Sequence, residues 1–162
     1  MIVSTATNPY VTIDQRTDKV RPFAFRPCFI DPFQGTVAAR FAITDLGAKK
    51  GAILYDVGSD YGQWLSRYFE EAFAEKGGEI VAKEAFRTEE LDYRAQLGKM
   101  KELNPDVIFI PTSQKEAAMA AKQARDLGIE AILLGTDNWG SPDLIELGGS
   151  AIHGGYFVNL TD

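Results

Sequence analysis

Histidine and cysteine are almost missing from this chain: among 162 residues there is one of each, His153 and Cys28. A single cysteine cannot close an intrachain disulfide, and no Cys/His group has the spacing of a metal site. The lone histidine stands beside Gly154-Gly155 with no serine or cysteine nucleophile placed next to it, so a Ser-His-Asp or Cys-His catalytic arrangement lacks its parts. Neither common type of glycine-rich phosphate loop follows any strand-like run, which leaves nucleotide chemistry unsupported. Positive charge is also scarce. The 17 Lys and Arg residues are outnumbered by 23 Asp and Glu and are scattered, giving a net charge of -6 and pI near 4.9. Nucleic-acid binding needs clustered cations, so a nucleic-acid partner is not expected. Long hydrophobic runs are absent too: the apolar stretches are strand-sized, well short of the roughly 20 residues of a membrane span. The opening residues lack the basic-then-apolar pattern of a signal peptide. The expectation is a soluble, non-enzymatic chain without cofactor or metal.

What is present is one good core, with 45% hydrophobic and 11% aromatic residues, enough for one domain but not for a second full lobe. After an N-terminal stretch of two extended segments joined by a polar loop (residues 1–28), Asp31-Pro32-Phe33-Gln34 reads as a helix start. Asp31 would be the N-cap, Pro32 the first helical residue, and Gln34 would reach back to the cap; Gly47 ends the helix. Apolar runs and amphipathic helices then alternate. Strands are expected at 51–57, 79–86, 107–110, 131–134 and 156–158, and helices at 59–76, 91–103, 113–127 and 142–147. The second strand carries charge, as an edge does. Continuous apolar strands linked through helices mean parallel pairing with right-handed crossovers. The expected fold is α/β: a doubly wound, parallel, five-stranded, flavodoxin-like sheet in three α/β/α layers, strand order 2-1-3-4-5, occupying residues 29–162.

In such a sheet ligands bind at the carboxyl ends of the strands, where the winding reverses. Three loops are expected to converge there: residues 56–61, residues 111–114, and Gly135-Thr136-Asp137-Asn138-Trp139, the last closed by the helix start Ser141-Pro142. They offer hydroxyls, amides, aromatic rings and carboxylates, a set that orients a ligand without reacting with it. Each residue also has a plainer reading. Asp137 could simply form a turn, Tyr61 sits on an apolar helix face, Trp139 could pack under its helix, and Thr5 and Thr7 suit a strand. A phospho-acceptor receiver domain shares the topology but needs a lysine after the last strand, where this chain has Asn159-Leu160-Thr161.

Taken in order, Ser4-Thr5-Ala6-Thr7-Asn8-Pro9, Phe25-Arg26-Pro27 before Asp31-Pro32-Phe33-Gln34-Gly35, Tyr55-Asp56 with Asp60-Tyr61-Gly62, Gln123-Ala124-Arg125-Asp126-Leu127-Gly128, and Gly154-Gly155 form a pattern. It resembles the type I periplasmic binding proteins of the leucine/isoleucine/valine-binding family, the extracytoplasmic receptors of ABC transporters. The resemblance runs over essentially the whole chain, which corresponds to one lobe, roughly half, of such a two-lobe protein. It implies that Thr5, Ala6 and Thr7 hold the carboxylate of an amino-acid or amide ligand, that Asp137 takes the α-ammonium where many relatives have glutamate, and that Tyr61 walls the pocket. Ser113-Gln114 replaces an aromatic of some relatives, which implies a more polar pocket; Trp139 is a further candidate. In the intact protein the implied partners are the ABC transporter membrane subunits. As one lobe the chain is expected to bind weakly, in the millimolar range or not at all, and to form a homodimer through residues 1–28. A ligand-free self-associating lobe, or a sensory domain of the same superfamily, are the alternatives.

Overall fold

Five aliphatic-rich runs form one parallel sheet in the computed structural model, which describes residues 1–4 and 6–159. They are β1 (Lys50–Asp56), β2 (Glu79–Phe86), β3 (Val107–Phe109), β4 (Ile132–Gly135) and β5 (Tyr156–Phe157), in the order β2-β1-β3-β4-β5. Every neighbouring pair is parallel, in register from Gly51 opposite Val107 to Phe109 opposite Leu134. Because side chains alternate along a strand, the central strands feed two cores. Ile53, Val107, Phe109 and Leu134 enter one, covered by α1 (Asp31–Thr44) and α2 (Asp60–Glu75). Ala52, Leu54, Ile108 and Leu133 enter the other, covered by α3 (Arg94–Leu103), α4 (Gln114–Asp126) and α5 (Pro142–Gly148). The result is the doubly wound three-layer α/β/α sheet expected from the sequence, with the charged β2 at an edge.

Local chemistry explains most element ends. The Ser59 hydroxyl accepts the Gly62 N–H at 3.3 Å and the Ser141 hydroxyl accepts the Asp143 N–H at 3.2 Å, while Ser113 and Glu116 close a reciprocal capping box. Gly77 and Gly128 end α2 and α4 with φ of 86° and 75°, angles that glycine adopts without a Cβ penalty.

Two expectations need correction. The first turn of α1 is not capped by Asp31: Ile30 holds the cap position without a side-chain bond, Asp31 is already helical, and Gln34 does not reach back. Gln34 Oε1 instead accepts the Asp137 N–H at 2.8 Å, and the buried Asp31 carboxyl is met by the Thr7 side chain. The third helix begins at Arg94 rather than 91, because Gln123 Oε1 accepts the Tyr93 N–H at 2.6 Å and Gln123 Nε2 donates to Leu91 O at 2.7 Å, holding residues 91–93 in a non-helical path.

The N-terminal stretch is only partly extended. A 3₁₀ turn, Pro9–Val11, interrupts it, with the Asn8 side chain accepting the Tyr10 N–H at 2.9 Å. Single bridges join Ile2 to Phe25 and Ile13 to Val20. Tyr10 packs edge-on against Trp64 of α2, so the stretch is laid against the lobe rather than held away from it.

Candidate ligand-binding site

The site is assembled at the carboxyl edge of the sheet, where the winding direction reverses between β1 and β3. Helix α2 starts directly against the strand ends. A Cβ at Gly62 would stand 3.1 Å from Asp56 O and 3.3 Å from Pro111 O, tighter than ordinary contact with backbone atoms, so the close approach favors glycine. The close start brings Tyr61 over the edge, where its hydroxyl donates to Asp137 Oδ1. Asp137 lies on the 3₁₀ turn Asp137–Trp139 that follows β4, and its backbone N–H donates to Gln34 Oε1 of α1 at 2.8 Å. Helices α1 and α2 thus hold one residue from two sides, α2 through its carboxylate and α1 through its backbone N–H.

The N-terminal stretch supplies the facing wall. Asp31 N–H donates to Thr7 O at 3.0 Å, and the Arg26 guanidinium donates to Ala6 O at 3.1 Å, to Asn8 O, and to Thr12 Oγ1 at 3.2 Å. Ala6, Thr7 and Asn8 are thereby fixed beside Asp31, Asp60, Tyr61, Asp137 and Asn138. These eight residues line a concavity of about 350 Å³. Thr5, the other residue assigned to ligand carboxylate binding, lies outside the described residues.

Charge in this concavity is of one sign. Asp31, Asp60 and Asp137 contribute carboxylates, and among the described residues its lining includes no Lys, Arg or His. Burial pushes the Asp31 carboxyl above its ordinary value; the Thr7 side chain pulls it back in part, the Asp137 charge adds to the rise, and Arg26 opposes it. The Tyr61 hydroxyl is raised as well, by burial first and then by the charge of Asp137 and the hydrogen bond to it. Tyr61 therefore stays a neutral donor that orients Asp137. The arrangement offers an anion-lined, hydroxyl-bearing pocket suited to a cationic nitrogen.

The structure brings Ala6, Thr7, Tyr61 and Asp137 together as candidate ligand residues. It does not bring the other candidates there. Ser113 and Gln114 open α4, where the Ser113 side chain is bound to Glu116 and serves the helix cap, and neither lines the concavity. Trp139 is 3% exposed in the core under α3, α4 and α5, seated where a Cβ on Gly135 would run into its ring. Its plainer reading, packing, is the one observed. Asn8, Asp31, Asp60 and Asn138 line the concavity without having been singled out as ligand residues. Gln34 and Asp31 did stand out, but as a helix-start signature; nothing local distinguishes that from a pair whose partners are 103 residues away and across the N-terminal stretch.

Comparison with known proteins agrees with this picture. Residues 2–160 match the family model described as periplasmic binding protein. Over its full length the chain is 26% identical to Leu/Ile/Val-binding protein homolog 3 of Brucella melitensis and 28% identical to the Leu/Ile/Val-binding protein BraC3 of Rhizobium johnstonii, spanning 42% of each. Among solved structures, the leucine binding protein LivK of Thermotoga maritima aligns with a TM-score of 0.88 and 39% identity, covering 97% of this chain and 43% of that one. LivJ of Streptococcus pneumoniae, a branched-chain amino acid transporter substrate binding protein solved with isoleucine, aligns over 78% of this chain and 35% of its own at a TM-score of 0.73 and 32% identity. The chain spans less than half the length of these relatives. By the extent of the family match, by the strand order and by the fold of its neighbours, the chain belongs to the periplasmic binding protein family.

Proposed function

We propose that this chain is one lobe of an extracytoplasmic solute-binding protein for α-amino acids or related small polar amines and amides, serving an ABC transporter and carrying out no reaction. The observation that carries the reading is the Tyr61–Asp137 pair at the strand ends, facing the Ala6–Thr7 segment across one concavity. Asp137 receives the ligand's ammonium, held in orientation by Tyr61 and Gln34. The hydroxyl and backbone groups of Ala6 and Thr7 meet the carboxylate. The names of the relatives support the ligand class and the transport role.

One lobe offers about half of the contacts of a closed cleft, so affinity falls in the millimolar range, about -4 kcal/mol. Saturation-transfer NMR on the whole chain tests the reading with leucine and with 4-methylpentanoate, the same skeleton without its amine. Leucine is expected to show transfer, and the acid at least tenfold weaker binding, because a charge-assisted contact contributes about 1.5–3 kcal/mol. Equal signals from the two would contradict the role of Asp137. Self-association is a second property supported by a specific observation, the exposed Ile2, Phe23 and Phe25 of the N-terminal stretch.

A further inference from the structure

Tyr61 meets Asp137 only because α2 begins where it does, and that start is held from outside the concavity. Strand β1 ends at Asp56, which is 5% exposed. Its Oδ1 accepts the Gly58 N–H at 2.7 Å. The hydroxyl of Thr88, two residues past the end of β2, lies 3.0 Å from Oδ1 and 2.8 Å from Oδ2 and shares its one proton between them. The chain between β1 and α2 is pressed against this threonine: a Cβ on Gly58 would stand 2.4 Å from Thr88 Oγ1. Val57 N–H donates to Phe86 O at 2.9 Å and Ser59 N–H to Asp56 O at 3.3 Å, after which the Ser59 hydroxyl caps α2 and Tyr61 follows as its second residue. Neither Asp56 nor Thr88 lines the concavity, so any effect they have on a ligand there passes through Tyr61.

We propose that Asp56 and Thr88 are positioning residues: their bond clasps the ends of β1 and β2 together, fixes the loop that starts α2, and thereby sets the Tyr61 hydroxyl on Asp137. The physical reason is the cost of a buried carboxylate. Among the described residues Thr88 is the one donor to Asp56 Oδ2, and a carboxylate oxygen deprived of its donor is relieved by turning toward water. That turn would also take Oδ1 away from the Gly58 N–H, the contact that bends the chain into α2. A hydrogen bond weakens steeply with distance and angle, so a small shift of the first turn of α2 is enough to loosen Tyr61 from Asp137. Thr88 itself is exposed, which makes its hydroxyl, rather than its burial, the part that acts. The consequence for affinity rests on the reading of Tyr61 and Asp137 as ligand residues; the placement of Tyr61 does not.

The test uses the whole chain with Thr88→Val, which keeps the shape and removes the hydroxyl, and Thr88→Ser, which keeps the hydroxyl. Without ligand, the NMR resonances of the Tyr61 ring and of the Asp137 carboxyl carbon are expected to move in Thr88→Val and to return in Thr88→Ser, while those of Tyr156, on the opposite edge strand, stay in place in both. Leucine binding is expected to weaken about threefold to tenfold in Thr88→Val and to recover in Thr88→Ser. Unmoved Tyr61 and Asp137 resonances in folded Thr88→Val, or a Thr88→Ser variant that behaves like Thr88→Val, overturn the proposal. Moved resonances with unaltered leucine binding uphold the clasp and contradict instead the reading of Tyr61 as part of the ligand site. Should Thr88→Val fail to fold, Thr88→Ala removes the same hydroxyl without the second methyl group and is judged by the same resonances.

Discussion

Two residues apart on one turn, Asp137 and Trp139 end on opposite faces of the sheet. Asp137 turns to α1 and α2, where Gln34 and Tyr61 bind it, and Trp139 turns into the core beneath α3, α4 and α5. Their types alone allowed a pocket role for both; the glycine at 135, which leaves room for an indole, separates them. Asp31 makes a prediction of its own. Its carboxyl is held above the ordinary aspartate value of about 3.9, chiefly by burial, so the folded state binds this proton more tightly than the unfolded state does. Its contribution to stability is then most favorable at low pH and declines as pH rises from the unfolded value through the folded one. Asp14 and Asp106, with carboxyls lowered mainly by backbone N–H bonds, contribute in the opposite direction. The readout is therefore the difference between unaltered chain and Asp31→Asn. Urea midpoints are expected to show the Asn variant gaining relative stability from about pH 4 toward neutrality, and a constant difference would contradict a carboxyl raised by burial.

At the scale of elements, the contact between α1 and α2 depends on Gly35. A Cβ there would stand 3.0 Å from the Phe69 nitrogen and 3.1 Å from the Leu65 carbonyl, atoms of the α2 backbone that cannot turn aside. Gly35→Ala is expected to cost about 1–3 kcal/mol by urea denaturation. Gly98, inside α3, has no atom within 4 Å of a Cβ, and Gly98→Ala is expected to add about 0.5–1 kcal/mol. Equal effects would mean that the helices are not in close contact at Gly35. Elements were the part most legible in the sequence, because their signals are local: aliphatic runs for strands, Ser113 with Glu116 and Ser141 with Pro142 for helix starts, Gly77 and Gly128 for helix ends. Strand order followed from chain order and the crossover rule. The start of α3, set by Gln123, and the use of Asp31 and Gln34 were not legible, since each is decided by a partner far along the chain. For the same reason Tyr61 and Asp137 could be named as candidates, but the bond between them, 76 residues apart in sequence, could not.

For the molecule as a whole, the chain spans less than half the length of its relatives, and among the described residues most exposed large apolar side chains lie within residues 1–33 and 145–157. Ile2 is 80% exposed, Phe23 79% and Phe25 59%, whereas Tyr10 of the same stretch already packs on Trp64. Burying such side chains against a second copy is favorable at about 25 cal/mol per Å². A dimer at micromolar concentration is expected by light scattering, and Phe23→Ser with Phe25→Ser should yield monomers. A dimer that survives both changes would be held elsewhere, the exposed Phe33, Tyr156 and Phe157 around the β5 edge being the next apolar surface.

The central claim, that this lobe recognizes an amino acid through Asp137, is tested most directly by Asp137→Asn. Asparagine keeps a carbonyl oxygen for the Tyr61 hydroxyl and a backbone N–H for Gln34, so the unfolding midpoint should move little. Only the charge is lost. Titration with an α-amino acid by NMR is then expected to show binding weakened at least tenfold with the fold unchanged. Unaltered affinity in a folded Asp137→Asn variant would contradict the account.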